Sequence, residues 1–100
     1  MKILWSPRAK KDLSNIADFI AHDKKRAALK WLQSIKKKVS RLQKFPYSGP
    51  VVPEIKRSEI REIIFGNYRI IYKVDATVSI LTVFNGAKLL TNELIPGTHD

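Results

Sequence analysis

The chain has 100 residues, no cysteine, and 19 Lys and Arg against nine Asp and Glu, which gives a formal net charge of +10. The length and the lack of a Pro-, Gly- or Ser-rich linker predict one globular domain over residues 1–100, and the absence of cysteine excludes a disulfide framework and a thiolate metal site. The surplus of positive charge indicates an anionic partner.

The first half of the chain predicts a short strand followed by a helical hairpin. Residues 3–5 are apolar and β-prone, and the Ser-Pro pair at 6–7 is typical of a helix start, because serine caps free amides and proline fits the first turn. Apolar residues then recur at helical spacing as far as Asp23. We expect Asp23 to cap a second amphipathic helix that ends before Pro46.

The second predicted helix carries much of the positive charge. Nine basic residues and no acidic residue lie between Lys24 and Lys44. Four cations lie on the face opposite the apolar stripe: Lys30, Lys36, Lys37 and Arg41. Because like charges repel one another in the compact state, this concentration favours a role in binding nucleic acid, a nucleic-acid-bound enzyme or an acidic protein. The alternative is a solvated helix face that only aids solubility.

The second half of the chain predicts a sheet that covers the helices. Three β-rich runs follow an irregular connection: residues 60–65, 68–74 and 78–84. Gly66-Asn67 indicates a two-residue hairpin turn with glycine first, and residues 75–77 indicate a second reversal. Alternation within the middle run predicts one face packed on the helices and the other partly exposed. We therefore expect an α+β fold, in which an N-terminal strand and a two-helix hairpin pack with a twisted antiparallel β-sheet.

Most catalytic templates are missing from the sequence. His22 and His99 stand alone, so no metal site is expected, and the glycines occur singly, so no phosphate-binding loop and no cofactor are expected. The remaining candidates are cations and tyrosines on or beside the sheet: Arg61, Arg69, Lys73, Lys88, Tyr68 and Tyr72. A general acid or base with several cations could cleave RNA by activating a 2′-hydroxyl and stabilising the phosphorane. Alternatively, the tyrosines are core aromatics with solvated hydroxyls, and Arg69 pairs with an acid such as Glu62.

Four stretches of the sequence carry a resemblance to a known family. They are the opening Trp-Ser-Pro-Arg-Ala-Lys-Lys-Asp-Leu (5–13), Phe-Pro-Tyr-Ser-Gly-Pro (45–50), Val-Pro-Glu-Ile (52–55), and the run at 60–74. In this order they resemble the RelE/ParE superfamily of toxins from bacterial type II toxin–antitoxin modules, and are most similar to the ParE, or plasmid-stabilisation, branch. The similarity covers nearly the whole chain and is looser after Phe84. It implies the same α+β fold and an acidic, partly disordered antitoxin of the ParD or RelB kind.

The superfamily contains two activities, and the resemblance implies different partners for each. ParE-like members are described as DNA gyrase inhibitors without nuclease activity, whereas RelE-like members cleave messenger RNA on the ribosome. Arg69 matches the sheet arginine of the nuclease branch, and Lys88 falls where a second arginine is usual. However, Ile60 and Glu62 lie in the region where those nucleases carry lysines, and no histidine–tyrosine pair and no clear tyrosine follows Lys88. A carboxylate there would repel a phosphate, so the ParE-like interpretation leads.

Three hypotheses follow from the sequence. The first is a gyrase-inhibiting toxin, a binding protein that contacts its target through Lys30, Lys36, Lys37, Arg41 and Arg69. The second is a ribosome-dependent endoribonuclease with four catalytic candidates: Arg61, Arg69, Lys88 and Tyr68. The third is an antitoxin-binding module whose toxicity has decayed. Because the N-terminus is charged too early for a signal peptide and no apolar run could span a bilayer, we expect a cytoplasmic protein with no membrane partner.

Overall fold

The computed structural model describes residues 1–86, so Lys88, His99 and the rest of the tail lie outside the described residues. The elements follow in this order: β1 (Ile3–Trp5), α1 (Pro7–Asp23), α2 (Lys25–Ser40), a 3₁₀ turn (Arg41–Gln43), β2 (Ile60–Phe65), β3 (Tyr68–Val74) and β4 (Val78–Asn85). The predicted succession of strand, helical hairpin and three strands is confirmed. No helix among residues 1–86 combines the length and the apolar composition needed to cross a membrane.

The four strands form one mixed sheet in the order β1-β4-β3-β2. β3 is antiparallel to both of its neighbours, and the turn between β2 and β3 has a positive φ only at Gly66, as predicted for a turn with glycine first. β2, β3 and β4 form the predicted antiparallel sheet, and β1, for which the sequence indicated no partner, adds to β4 in parallel. The pairing of β1 with β4 joins residues more than 70 positions apart, and local sequence patterns cannot predict such a contact.

A single residue joins the two helices. Lys24 has an extended backbone, and its N–H donates to the carbonyl of Ile20 while its own carbonyl accepts from Ala28. The prediction that Asp23 caps α2 is therefore wrong, because Asp23 is the last residue of α1 and no side chain caps α2. The helices can reverse direction in so short a link because Lys24 serves both helix ends at once.

The main core lies between the helical hairpin and one face of the sheet. It joins the apolar stripes of α1 and α2 to alternate residues of β3 and β4, among them Leu13, Ile35, Val39, Ile70, Tyr72 and Ile80. The opposite face of the sheet is also covered, because the connection between α2 and β2 folds back over it. Val52 packs there against Ile60 and Ile71, all three fully buried. The prediction that this face is partly exposed is therefore wrong at the centre of β3.

The opening motif anchors α1 to a bulge in β4. The pairing of β3 with β4 shifts by one residue between Ile71 and Tyr72, so the ladder is irregular beside Thr82. The Asp12 carboxylate accepts hydrogen bonds there from the Thr82 hydroxyl (2.6 Å) and the Val83 N–H (2.9 Å). Ser6 acts nearly two turns earlier: its hydroxyl caps α1 at Ala9 and donates to a β4 carbonyl. Ser6 and Asp12 of the motif thus serve the junction of helix and sheet.

Candidate functional site

Arg69 lies at the centre of an ion-pair cluster on the sheet face remote from the helices. Its Nη1 and Nη2 atoms donate to the two carboxylate oxygens of Glu54, at 2.6 and 2.9 Å. Its Nε and Nη2 atoms also bond to Oε2 of Glu62, and the Nε–Oε2 distance is 3.1 Å. The Phe84 ring lies 5.4 Å from the guanidinium carbon. We call Arg69, Glu54 and Glu62 the arginine triad.

The triad leaves little of the guanidinium for a ligand. Arg69 is 8% exposed, and its charge is outweighed by two carboxylates. The pKa of Arg69 is raised above its ordinary value, first by hydrogen bonding to Glu54 and then by Glu62, against the opposing effect of burial. The alternative interpretation of Arg69, an ion pair with Glu62, is confirmed. The contact with Glu54 was missed, because this residue lies 15 positions upstream in an irregular connection.

An open depression of about 820 Å³ lies over the triad. Its lining combines the triad with loop and strand residues: Pro53, Ile64, Gly66, Asn67, Tyr68, Asn85 and Gly86. Two carboxylates and one arginine give the lining a net negative charge within residues 1–86. A phosphate brought into this depression would meet Glu54 and Glu62 at close range, which disfavours binding of the anion.

Arg61 fastens the connection between α2 and β2. Its Nε donates to the Ser58 carbonyl (2.9 Å), and its Nη1 donates to the carbonyls of Gly49 (2.9 Å) and Tyr47 (3.3 Å). The guanidinium carbon also lies 4.9 Å from the centre of the Tyr47 ring. Three backbone carbonyls and one aromatic ring thus hold Arg61, the second candidate arginine, against the connection that precedes β2.

The two candidate tyrosines are part of the packing. Tyr68 is half-buried, and its ring meets Trp31 edge-on at 5.4 Å between centroids. Tyr72 is fully buried, and its hydroxyl accepts a hydrogen bond from the Gly49 N–H at 3.0 Å. Both are core aromatics, as the alternative interpretation held, although the Tyr72 hydroxyl bonds to backbone where a solvated hydroxyl was expected.

Burial of Tyr72 predicts an alkaline loss of stability. Desolvation raises the pKa of Tyr72, and the hydrogen bond from Gly49 and the charge of Arg61 only partly offset it. A raised pKa means that the folded state holds the proton more tightly, so stability is lost as the pH rises through 10.0, the ordinary tyrosine value, towards the folded pKa. We expect Tyr72→Phe to be less stable by about 1–3 kcal/mol at neutral pH, because it leaves a buried N–H unpaired.

The stability gap between wild type and Tyr72→Phe should narrow from about pH 9 to about pH 11, since only the wild type loses this contribution. Urea titrations of both proteins across that range measure the gap, and Tyr47→Phe, which removes an exposed hydroxyl, controls for general alkaline effects. A gap that stays constant with pH would contradict the prediction.

The predicted cations of α2 and of the 3₁₀ turn after it form a separate, exposed surface. Lys30, Lys36, Lys37 and Arg41 are all exposed, as expected for the face opposite the apolar stripe. Arg69 does not share this surface with the four cations, because its side chain lies on the sheet face remote from the helices. Within residues 1–86 none of these four cations forms a salt bridge. No group of acidic or histidine side chains in the described part of the chain could hold a metal ion.

Comparisons with known proteins agree with this architecture. The sequence model of the family described as "ParE toxin of type II toxin-antitoxin system, parDE" matches residues 3–90. A solved structure titled "Chromosomal ParDE TA system from P. aeruginosa" contains a chain similar to this one, with a TM-score of 0.71 and 24% sequence identity over 85% of this chain and 95% of that chain. No curated protein sequence matches. The chain belongs to the ParE toxin family of type II toxin–antitoxin systems.

Proposed function

We propose that this protein is a cytoplasmic toxin that binds and inhibits DNA gyrase, and that a cognate acidic antitoxin neutralises it. The arginine triad is the observation that favours binding over catalysis. In a chain of the ParE family, the cation that matches the nuclease arginine is already bound by two carboxylates. The protein therefore acts by occupying its target, with no bond made or broken.

The demands of RNA cleavage support this choice. Negative charge accumulates on the phosphoryl oxygens in the transition state. Preorganised cations without nearby counter-charges must stabilise it. Arg69 faces Glu54 and Glu62, while Arg61 is directed to backbone carbonyls. Arg69 offers no free guanidinium in the described residues, Arg61 already donates to carbonyls through Nε and Nη1, and Tyr72 is buried away from any substrate.

The antitoxin follows from family membership, and its character follows from charge. A toxin with a net charge of +10 attracts an acidic partner, and long-range attraction speeds the encounter of opposite charges more than it strengthens the final complex. Association with the antitoxin should therefore slow as salt screens the charges, whereas the dissociation rate should change little.

Supercoiling by purified gyrase tests the proposal directly. We expect relaxed plasmid to remain relaxed when the toxin is added in modest excess over gyrase, and supercoiling to return when the antitoxin is added first. Induction in a bacterial host without antitoxin should produce filaments and a DNA-damage response while transcripts stay intact. Full supercoiling at a large excess of folded toxin would refute gyrase inhibition, and cut transcripts with rapid translation arrest would replace it with the ribonuclease function.

A further inference from the structure

A row of cations runs along the outer side of α2 and continues past its end at Ser40. Counting from Arg26, basic residues recur at steps of four, seven, four and three positions, the spacing of one side of an α-helix; the last two steps reach Arg41, in the 3₁₀ turn, and Lys44, which follows that turn. The row consists of five residues, all exposed, which we call the basic ridge: Arg26, Lys30, Lys37, Arg41 and Lys44. At about 1.5 Å per residue in α2 and about 2.0 Å in the 3₁₀ turn, the row is roughly 29 Å long.

The positive charge of the ridge is not neutralised from within residues 1–86. The salt bridges of this part of the chain involve Arg8, Arg57, Arg69 and Lys73 as cations, none of which belongs to the ridge. No acidic residue occurs between Lys24 and Lys44. The ridge is therefore a rigid linear array of cations that keeps its charge available to a partner.

We infer that the basic ridge binds the phosphate backbone of duplex DNA without reading its sequence. A duplex presents a regular line of negative charge, with a phosphate every 3.4 Å of axis on each strand, so the ridge spans the length of about eight phosphates of one strand. Lysine and arginine side chains on an exposed helix reach such phosphates and release counterions. The complementarity is one of charge and shape: a straight rigid row against a straight rigid polyanion.

The aromatic residues of α2 favour a duplex over an unpaired strand. Binding of single strands relies on aromatic side chains on which bases stack. The only aromatic residue between Arg26 and Lys44 is Trp31, and its ring packs against Phe65 and Tyr68 of the sheet. The ridge thus offers cations with no stacking platform between them; one exposed ring, Phe45, follows its last member.

DNA binding of this kind would hold the toxin against the duplex on which gyrase works. In that role the inference rests on the proposed function, whereas the binding itself does not depend on gyrase. Duplex binding and gyrase inhibition can therefore fail separately. The experiment measures both, duplex binding by anisotropy and gyrase inhibition by supercoiling, on the same variants.

The probe is a fluorescein-labelled 20-bp duplex of mixed sequence, with binding followed by anisotropy from 50 to 200 mM salt. Four to five neutralised phosphates predict a slope of log K against log salt of about −4, so affinity should fall roughly 10²- to 10³-fold over this range. The variant Lys30→Gln/Lys37→Gln/Arg41→Gln should lower the magnitude of the slope by about 2.7, because each lost contact removes about 0.9.

A charge-matched control separates the ridge from overall charge. Lys2→Gln/Lys11→Gln/Lys56→Gln removes three exposed cations from other elements and should keep the wild-type slope. Circular dichroism and thermal unfolding confirm that both variants fold. Equal slopes for the two variants, no duplex binding at 50 mM salt, or tighter binding of the unpaired 20-mer would overturn the inference. A ridge variant that keeps its affinity for the duplex and loses affinity only for an acidic antitoxin peptide would also overturn the inference.

Supercoiling assays complete the separation from the proposed function. Loss of both duplex binding and gyrase inhibition in the ridge variant supports the inference in its full form. Wild-type protein that binds the duplex but leaves gyrase fully active would refute the proposed function and leave duplex binding by the ridge in place.

Discussion

Arg69→Ala is expected to lower the free energy of unfolding by about 3–5 kcal/mol, the loss typical when one partner is removed from a buried ion pair. The substitution removes the guanidinium that bonds both Glu54 and Glu62, whose side chains are only 22% and 13% exposed. Because small domains unfold at a cost of only about 5–15 kcal/mol, this one change would remove a large part of the stability. Thermal unfolding should show a fall in midpoint of about 12 °C or more.

Two further variants identify the cause of that loss. Arg69→Lys keeps the charge but cannot bond both carboxylates in a forked geometry, so its stability should lie between wild type and Arg69→Ala. The triple variant Arg69→Ala/Glu54→Gln/Glu62→Gln also removes the two carboxylate charges and should recover part of the loss. Urea denaturation of the four proteins measures the series. A single Arg69→Ala variant within about 1 kcal/mol of wild type would show that the carboxylates do not depend on Arg69.

This result bears on how toxicity assays are interpreted. A non-toxic Arg69→Ala strain would match the loss of a catalytic arginine and would equally match an unfolded toxin. The neutral triple variant distinguishes them, because it lacks the guanidinium yet should fold. Retained toxicity in that variant would show that Arg69 contributes to function through the fold alone.

The parts of the fold that could be predicted from sequence are those fixed by local patterns. The helical stripes, the Ser6 cap and the glycine-first turn at Gly66 each depend on a few neighbouring residues. The pairing of β1 with β4 and the cover over Ile71 depend on contacts across long stretches of chain. Periodicity carries no information about such partners, so the partner of β1 was not predicted and the burial of the second face of the sheet was predicted wrongly.

The same division applies to the candidate surfaces. The exposed cations of α2 could be placed on one helix face, because amphipathic spacing fixes which residues face away from the core. Whether Arg69 was free or paired could not be decided from spacing, since Glu54 reaches it from the irregular connection before β2. The carboxylate at Glu62 was the useful signal, because a strand neighbour of opposite charge indicates a pair.

Gly49→Ala is expected to destabilise the protein by about 2–4 kcal/mol, through steric overlap and lost hydrogen bonds. A Cβ atom at this position would lie 2.2 Å from the carbonyl oxygen of Glu62 and 2.8 Å from the Tyr72 hydroxyl. The backbone would have to move away from β2, which would weaken the hydrogen bond from the Gly49 N–H to Tyr72 and the one from Arg61 to the Gly49 carbonyl. Glycine is required here because the connection before β2 passes very close to the Glu62 carbonyl and the Tyr72 hydroxyl.

Gly66 provides the matched control, since it is required for a different reason. A Cβ atom there meets nothing within 4 Å, but the backbone has a φ of +59°. Gly66→Ala should therefore cost only about 1–2 kcal/mol in backbone strain, and Gly66→Asn less, because asparagine tolerates this conformation. Urea denaturation should rank Gly49→Ala as the most harmful of the three. A smaller loss for Gly49→Ala than for Gly66→Ala would mean that the connection at residues 46–59 can move off the sheet at little cost, and that the close packing around Tyr72 contributes little to stability.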